Sequence, residues 1–163
     1  MSAGQTHISA KFVANMTLTS LTALWASDTI KMGIIAQYWT GTSSPSITDS
    51  DPRWGTSGAQ NYAAAEVVAG GNYAAGGITL TSPTSTLAGA VASLNATSPL
   101  TVTASASNPT GAYWGVFYDS TDVGKHVFGF IDLGGPVSLV PGLQINLNGV
   151  SSGTQPIFQG TAT

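Results

Sequence analysis

The sequence predicts a mainly β protein: a single-domain antiparallel β-sandwich or barrel with one or two short helices and long loops. Three observations predict it. Short alternating or apolar runs of β-branched and aromatic residues recur along the chain, 20 glycines and 8 prolines punctuate them, and no sustained apolar stripe at three-to-four-residue spacing marks a helical domain. The length agrees, since 163 residues form one domain that buries roughly two thirds of the surface its unfolded chain exposes.

The elements follow in chain order. Residues 1–17 read as an arm, extended or helical. "HISAKFVANMTLTSLTALWAS" holds a short helix on the spacing of Phe12, Met16 and Thr19, although its threonines oppose one. "TIKMGIIAQYW", Thr29 to Trp39, is apolar on both faces after Lys31, as suits a strand covered on both sides. Residues 40–58 show no periodicity and are rich in Ser, Thr, Pro and Gly, which predicts a long surface loop. "AQNYAAAEVVAG" offers a helical turn or two, capped by Gly70 and Gly71.

Strands dominate the second half. "GITLTS" from Gly77 and "LTVTASA" from Leu100 are short candidates. Trp114 to Tyr118 and Val127 to Leu133 are apolar runs separated by the turn formers of "DSTDVGKH", most simply an antiparallel hairpin. "GGPVSLVPG" carries two prolines that cannot donate to a central ladder, so a loop or sheet edge is expected there. In "LQINLNG", Leu143, Ile145 and Leu147 point one way and Gln144, Asn146 and Asn148 the other, the period of a half-buried strand.

Charge narrows the function classes. Charged residues make up 7% of the chain, against about 25% in an ordinary soluble domain. Four basic residues and a net charge of −3 leave little counterion release to drive nucleic-acid binding, so no nucleic-acid partner is expected. An uncharged polar surface packs against other subunits with less desolvation, which favours an assembly component. There is no cysteine, hence no thiolate chemistry or Cys-ligated zinc. "MSAGQTHISAKF" lacks the basic and apolar regions of a signal peptide, and no window reaches eighteen unbroken apolar residues, so no membrane partner is expected.

The richest chemistry lies in "GAYWGVFYDSTDVGKHVFGFIDLGG", which holds Asp119, Asp122, His126 and Asp132. Asp119, Thr121 and Gly124 match the first, third and sixth positions of a calcium loop, but Val123 stands at the fifth and Phe130 at the twelfth, where carbonyl-bearing and bidentate ligands belong. His126 with Asp122 or Asp132 forms a general-base pair only if Ser120 or Ser138 comes within reach, and no Gly-x-Ser-x-Gly elbow presents such a nucleophile. Glu66, Asp49 and Asp51 do not suggest the two facing carboxylates of a glycosidase. "AGGNYAAGG" and "DLGGPV" lack the Lys-Ser or Lys-Thr of a phosphate loop, so their glycines serve turns. No catalytic residue, metal site or cofactor is therefore expected. Among the tryptophans, Trp39 and Trp114 read as core and Trp54, beside Arg53, as an interface anchor.

Order and spelling of four pieces carry a resemblance. "SDTIKMGIIAQ", then "NYAAGGITLTSPT", then "GAYWGVFYDSTDVGKHVFGFIDLGG" running into "PVSLVPGLQINLNG", are similar to a widespread set of small bacteriophage virion structural proteins. That set has an early Asp-Thr-Ile-Lys strand, a Tyr-x-Ala-Gly-Gly turn, a Val-Tyr-Asp-Asp strand and a Phe-Ile-Asp-Phe-Gly-Gly strand before an alternating one. The likeness spans Ser27 to Gly149, with residues 40–59 departing freely. It implies a non-enzymatic virion protein made in the host cytoplasm. The first expectation is a capsid decoration or cement protein, a trimer or other homo-oligomer that binds the major capsid protein and stabilises the shell. A tail tube, baseplate or fibre component is the alternative. A carbohydrate-binding module stacking sugars on Trp54 and Tyr62 is the alternative from another class. Interface candidates are Phe12 in the arm, Pro52, Arg53 and Trp54 in the long loop, Tyr62, and Asn72 with Tyr73 in the Gly-rich turn.

Overall fold

A computed structural model describes residues 6–8, 18–36, 52–55, 60–97, 99–145, 147 and 157–161. The expected mainly β architecture with antiparallel sheets and few helices is what it has.

The frame is a five-stranded sheet. Its strands are β1 (Thr6–Ile8), β2 (Ile30–Ile35), β5 (Ile78–Thr79), β9 (Ala112–Asp119) and β10 (Val127–Val137), in spatial order β1-β10-β9-β2-β5 and antiparallel throughout. The hairpin predicted from the two apolar runs is the β9–β10 pair, with Val127 opposite Tyr118 and Ile131 opposite Gly115. Because β2, β9 and β10 lie inside the sheet and both its faces are covered, they are apolar on both sides. Ile30, Met32, Ile34, Phe117, Phe128 and Ile131 fill one face, and Ile35, Trp114, Val116, Tyr118 and Phe130 the other.

The first face is closed by a second sheet and a helix. Strands β6 (Thr84–Ala88), β7 (Val91–Asn95) and β12 (Phe158–Thr161) pair in the order β12-β7-β6. Alternation on β7 buries Ala92 and Leu94 and leaves its other residues half-buried. The helix α1 (Leu18–Ser27) sends Trp25 into the same layer, where the indole meets Phe128 and Phe158 edge-on at 5.2 and 5.9 Å and donates to Asn95 O at 2.7 Å. A short pair, β8 (Leu100–Thr101) with β11 (Gln144–Ile145), adds Leu100, Val102, Ile145 and Leu147 to this core. The alternation read in "LTVTASA" holds from Leu100 to Thr103 and is lost at the exposed Ala104 and Ala106; in "LQINLNG" it holds for Gln144, Ile145 and Leu147, Asn146 and Asn148 lying outside the described residues, and each ladder is two residues long.

The opposite face is closed by Pro52–Arg53 (β3) running parallel to Gln60–Asn61 (β4), followed by a 3-10 turn over Tyr62–Ala65. Two expectations are corrected here, and β10 runs on beyond Leu133 into the stretch expected as loop or sheet edge, where it forms the edge. The stretch 40–58 is not all loop, because Pro52 and Arg53 form a strand whose end leads Trp54 into the core; residues 40–51 and 56–58 lie outside the described residues. The alanine run does not continue to Gly70. Glu66 leaves helical geometry at φ −58°, ψ 140°, because the chain is caught by β2: Ala36 N donates to Ala65 O and Val67 N to Ile34 O. Finally, β10 continues as strand through Pro136 to Val137. Pro136 lies past the last residue that β1 pairs, Ile131, in a stretch whose register with β9 is interrupted, so its missing N–H takes nothing from a central ladder.

Candidate functional site

The tip of the β9–β10 hairpin is built by its own carboxylates. Asp119, 4% exposed at the end of β9, accepts N–H bonds at Oδ1 from Thr121 (2.8 Å) and Asp122 (3.1 Å), which fixes the first bend. Asp122 repeats the device one step on, accepting from Gly124 N at 3.1 Å and His126 N at 3.3 Å, and its Oδ2 also meets His126 Nδ1. Lys125 takes up a left-handed φ of 47° to close the turn, with its N–H on Asp122 O at 3.0 Å.

Neighbouring segments hold this tip from two sides. Ser120 donates through both N–H and Oγ to Thr29 O, at 3.0 and 2.7 Å, and Thr29 N donates to Thr121 Oγ1 at 2.9 Å. On the other side Trp54 N donates to Lys125 O at 2.9 Å and Arg53 Nη1 to Gly124 O at 3.2 Å. Burial raises the Asp119 carboxyl above the ordinary range; the N–H groups of Asp122 and Thr121 oppose that, and the adjacent Asp28 carboxyl reinforces it. For Asp122, partial desolvation pulls upward, but the hydrogen bond from His126 and the N–H groups of Gly124 and His126 leave it below the ordinary range.

Asp132 does not join this group. It lies opposite Trp114, while Asp119 ends the same strand five residues on, about 17 Å away at roughly 3.3 Å per residue. Its carboxylate closes a local turn by accepting from Gly134 N at 2.8 Å. Neither serine completes a triad: Ser120 Oγ is spent on Thr29 O, and Ser138 Oγ, beyond the far end of β10, accepts from Val140 N at 3.3 Å. Among the described residues no three His, Asp or Glu side chains are grouped to hold a metal ion, and no helix is long and apolar enough to cross a membrane.

Sequence reasoning passed over two buried polar clusters. In the first, Tyr73 OH accepts from Ile34 N at 2.8 Å and donates to Glu66 Oε1 at 3.0 Å, Gly76 N donates to the same oxygen at 2.8 Å, and Tyr118 OH donates to Gly76 O at 2.6 Å. Burial, reinforced by the Glu66 charge, raises Tyr73 and pushes Tyr118 up to about 12, so both keep their protons at ordinary pH. In the second, Asn108, 5% exposed, accepts from Asn72 N at 2.7 Å and donates to Thr103 O and Leu139 O, each at 2.8 Å. The available signal was the chain's one glutamate, set in the apolar run "YAAAEVVAG", a type that is buried only with partners; Asn108, in "ASASNPTG", gave none, because that stretch reads as a turn.

The interface candidates are largely turned inward. Trp54 is 2% exposed because its indole lies over Gly33, where any Cβ would collide with the ring, and stacks on Tyr118. Tyr62 is fully buried, edge-on to Phe130 at 5.3 Å, and Tyr73 sits in the Glu66 cluster. Pro52 is buried and Arg53 half-buried against the hairpin tip. These residues anchor the chain to itself, which removes Trp54 and Tyr62 as sugar-stacking platforms and Trp54 as a docking anchor. Asn72 is exposed, yet its side chain donates to Thr103 O and Ala104 O at 3.1 and 3.3 Å. Phe12 and Trp39 lie outside the described residues, as do Asp49 and Asp51, while Trp114 is core as expected. Compared with protein-family models, with curated proteins and with solved structures, the chain matches none.

Proposed function

We propose that the chain is a bacteriophage virion structural protein, most specifically a capsid decoration protein that binds the major capsid protein and braces the shell. The observation that carries this reading is where the ionisable groups are spent. Asp119, Asp122, Asp132 and Glu66 each accept hydrogen bonds from the chain's own backbone. They stabilise turns and loop crossings, and what faces outward along β6 is threonine, leucine and alanine. Such a surface has little charge to desolvate, which suits close packing against other subunits. Repeated over a lattice, modest contacts stabilise a shell because attachment is multivalent.

The ordered likeness from Ser27 to Gly149 supports the virion as the place of action and copies of the chain as further partners. Within the virion, a tail tube, baseplate or fibre subunit differs from a decoration protein in number. Quantitative mass spectrometry of purified particles tests both levels. A copy number proportional to the major capsid subunit is expected; a few copies or a tail-ring number moves the protein to the tail, and absence from the particle overturns the reading.

A further inference from the structure

The strand β6 is a sheet edge whose outer backbone no described element pairs. In the order β12-β7-β6 it is paired on one side only, and its five residues exceed those of the other described edge strands, four in β12, three in β1 and two in each of β3, β4, β5, β8 and β11. Natural edges are protected by lysine, proline, bulges or covering elements. From Thr84 to Ala88 there is no charge, no proline and no break in register with β7. Indeed no Asp, Glu, Lys, Arg or His occurs between Glu66 and Asp119. The helix α1 covers one face at Ser85, whose Oγ donates to Thr22 O at 2.6 Å, whereas Thr86, Leu87 and Ala88 are exposed, Leu87 by 43%.

Register fixes which backbone groups face out. Gly89, at φ +60°, and Ala90 form the two-residue turn between β6 and β7, so the closing residues Ala88 and Val91 are a hydrogen-bonded pair. Pairs alternate from there. Thr86 with Ser93 and Thr84 with Asn95 are also bonded, while Leu87 with Ala92 and Ser85 with Leu94 are not. The N–H and C=O groups of Ser85 and Leu87 therefore point away from β7, and no described segment bonds to them.

We propose that this edge pairs with the same edge of a second copy of the chain. The two β6 strands run antiparallel about a two-fold axis beside Thr86, joining two three-stranded sheets into one of six. Ser85 of each copy faces Leu87 of the other, and each such pair exchanges two N–H···O bonds, four in all, while the two Thr86 residues meet between them. Self-pairing is electrostatically neutral because the strand is uncharged, and Thr–Thr is a favourable cross-strand neighbour. A five-residue contact is small beside the about 1,600 Å² of a standard stable interface. The dimer is accordingly weak and concentration-dependent in solution, and strengthens where copies are crowded together. The pairing stands on the strand edge itself, whatever structure the chain serves.

A charge-swap experiment on the full chain tests it. By sedimentation equilibrium at chain concentrations up to about millimolar, the unmodified protein is expected to dimerise. Thr86→Lys and Thr86→Glu each place like charges opposite one another and are expected to weaken association at least about tenfold. An equimolar mixture of the two restores it. Amide exchange of Ser85 and Leu87, and not of Thr86, should slow in the unmodified protein as concentration rises. Circular dichroism of both variants verifies the fold, since Thr86 is exposed. A protein that stays monomeric, variants that associate like the parent, or a mixture that fails to recover association would overturn the pairing.

Discussion

Trp54 lies face to face with Tyr118, ring centroids 5.1 Å apart and planes within 9°, and the same indole covers Gly33. One contact thereby fastens the segment after β3 onto the centre of the five-stranded sheet. The absence of a side chain at Gly33 makes the seat, and Tyr118, held by its hydroxyl on Gly76 O, makes the wall.

Gly33→Ala should therefore destabilise the protein even though alanine suits a strand better than glycine. The new methyl overlaps the indole, an overpacking that costs about 1–3 kcal/mol. Trp54→Ala should cost about 3–5 kcal/mol through lost burial. Urea denaturation of both variants and of the double variant checks the linkage: with the ring gone, the alanine at position 33 becomes tolerable, so the double variant loses less than the sum.

Tyr73→Phe removes one oxygen and leaves two groups short. Ile34 N loses its acceptor and Glu66 one of its two donors, inside a buried layer. A loss of about 1–3 kcal/mol is expected, measured as a lowered urea midpoint with unchanged slope. Near-parental stability would show that the hydroxyl is not part of the frame.

Asn108→Asp tests the second cluster with almost no change of shape. The amide's two donors, to Thr103 O and Leu139 O, become a carboxylate oxygen facing two carbonyls, while the acceptor for Asn72 N is retained. At neutral pH a loss of about 3 kcal/mol or more is expected. It should shrink on acidification, as the carboxyl regains a proton to donate.

Asp119→Asn separates shape from charge at the hairpin tip. An amide oxygen can still accept from Thr121 and Asp122, but it carries no buried charge beside Asp28. The raised pKa of Asp119 means that its protonated form is the one the fold favours. That contribution is complete below the unfolded carboxyl pKa and is lost as pH rises through the folded value. At pH 7 the asparagine variant should thus be at least as stable as the parent, and the difference should fade below about pH 4. A variant less stable at pH 7 would mean that the ionised carboxylate is needed there.

Much of the frame was legible because its strands are buried on both faces. "MGII", "WGVFY" and "VFGFI" are continuous apolar runs, and only the inside of a covered sheet accommodates them. The hairpin Thr84–Asn95 escaped notice because it packs small residues: Ala92 and Leu94 alternate with Ser93 and Asn95, a weak signal beside the aromatic strands. The inward course of Trp54 was invisible for another reason. Its partners, Gly33 and Tyr118, are distant in sequence, and local composition around Pro52 reads only as loop. At the tip, the turn-forming types of Asp119 and Asp122 showed, and their N–H partners lie within four residues; the roles of Glu66 and Asn108, by contrast, depend on segments brought together by the fold.

The proposed role of this surface is to join subunits of a virus shell. The most direct measurement adds the purified chain to capsids lacking it and follows both occupancy and the temperature at which the shells open. A capsid decoration protein saturates the shell at a fixed ratio to the major capsid subunit and raises its opening temperature. Shells that neither retain the chain nor gain stability from it would rule out that role.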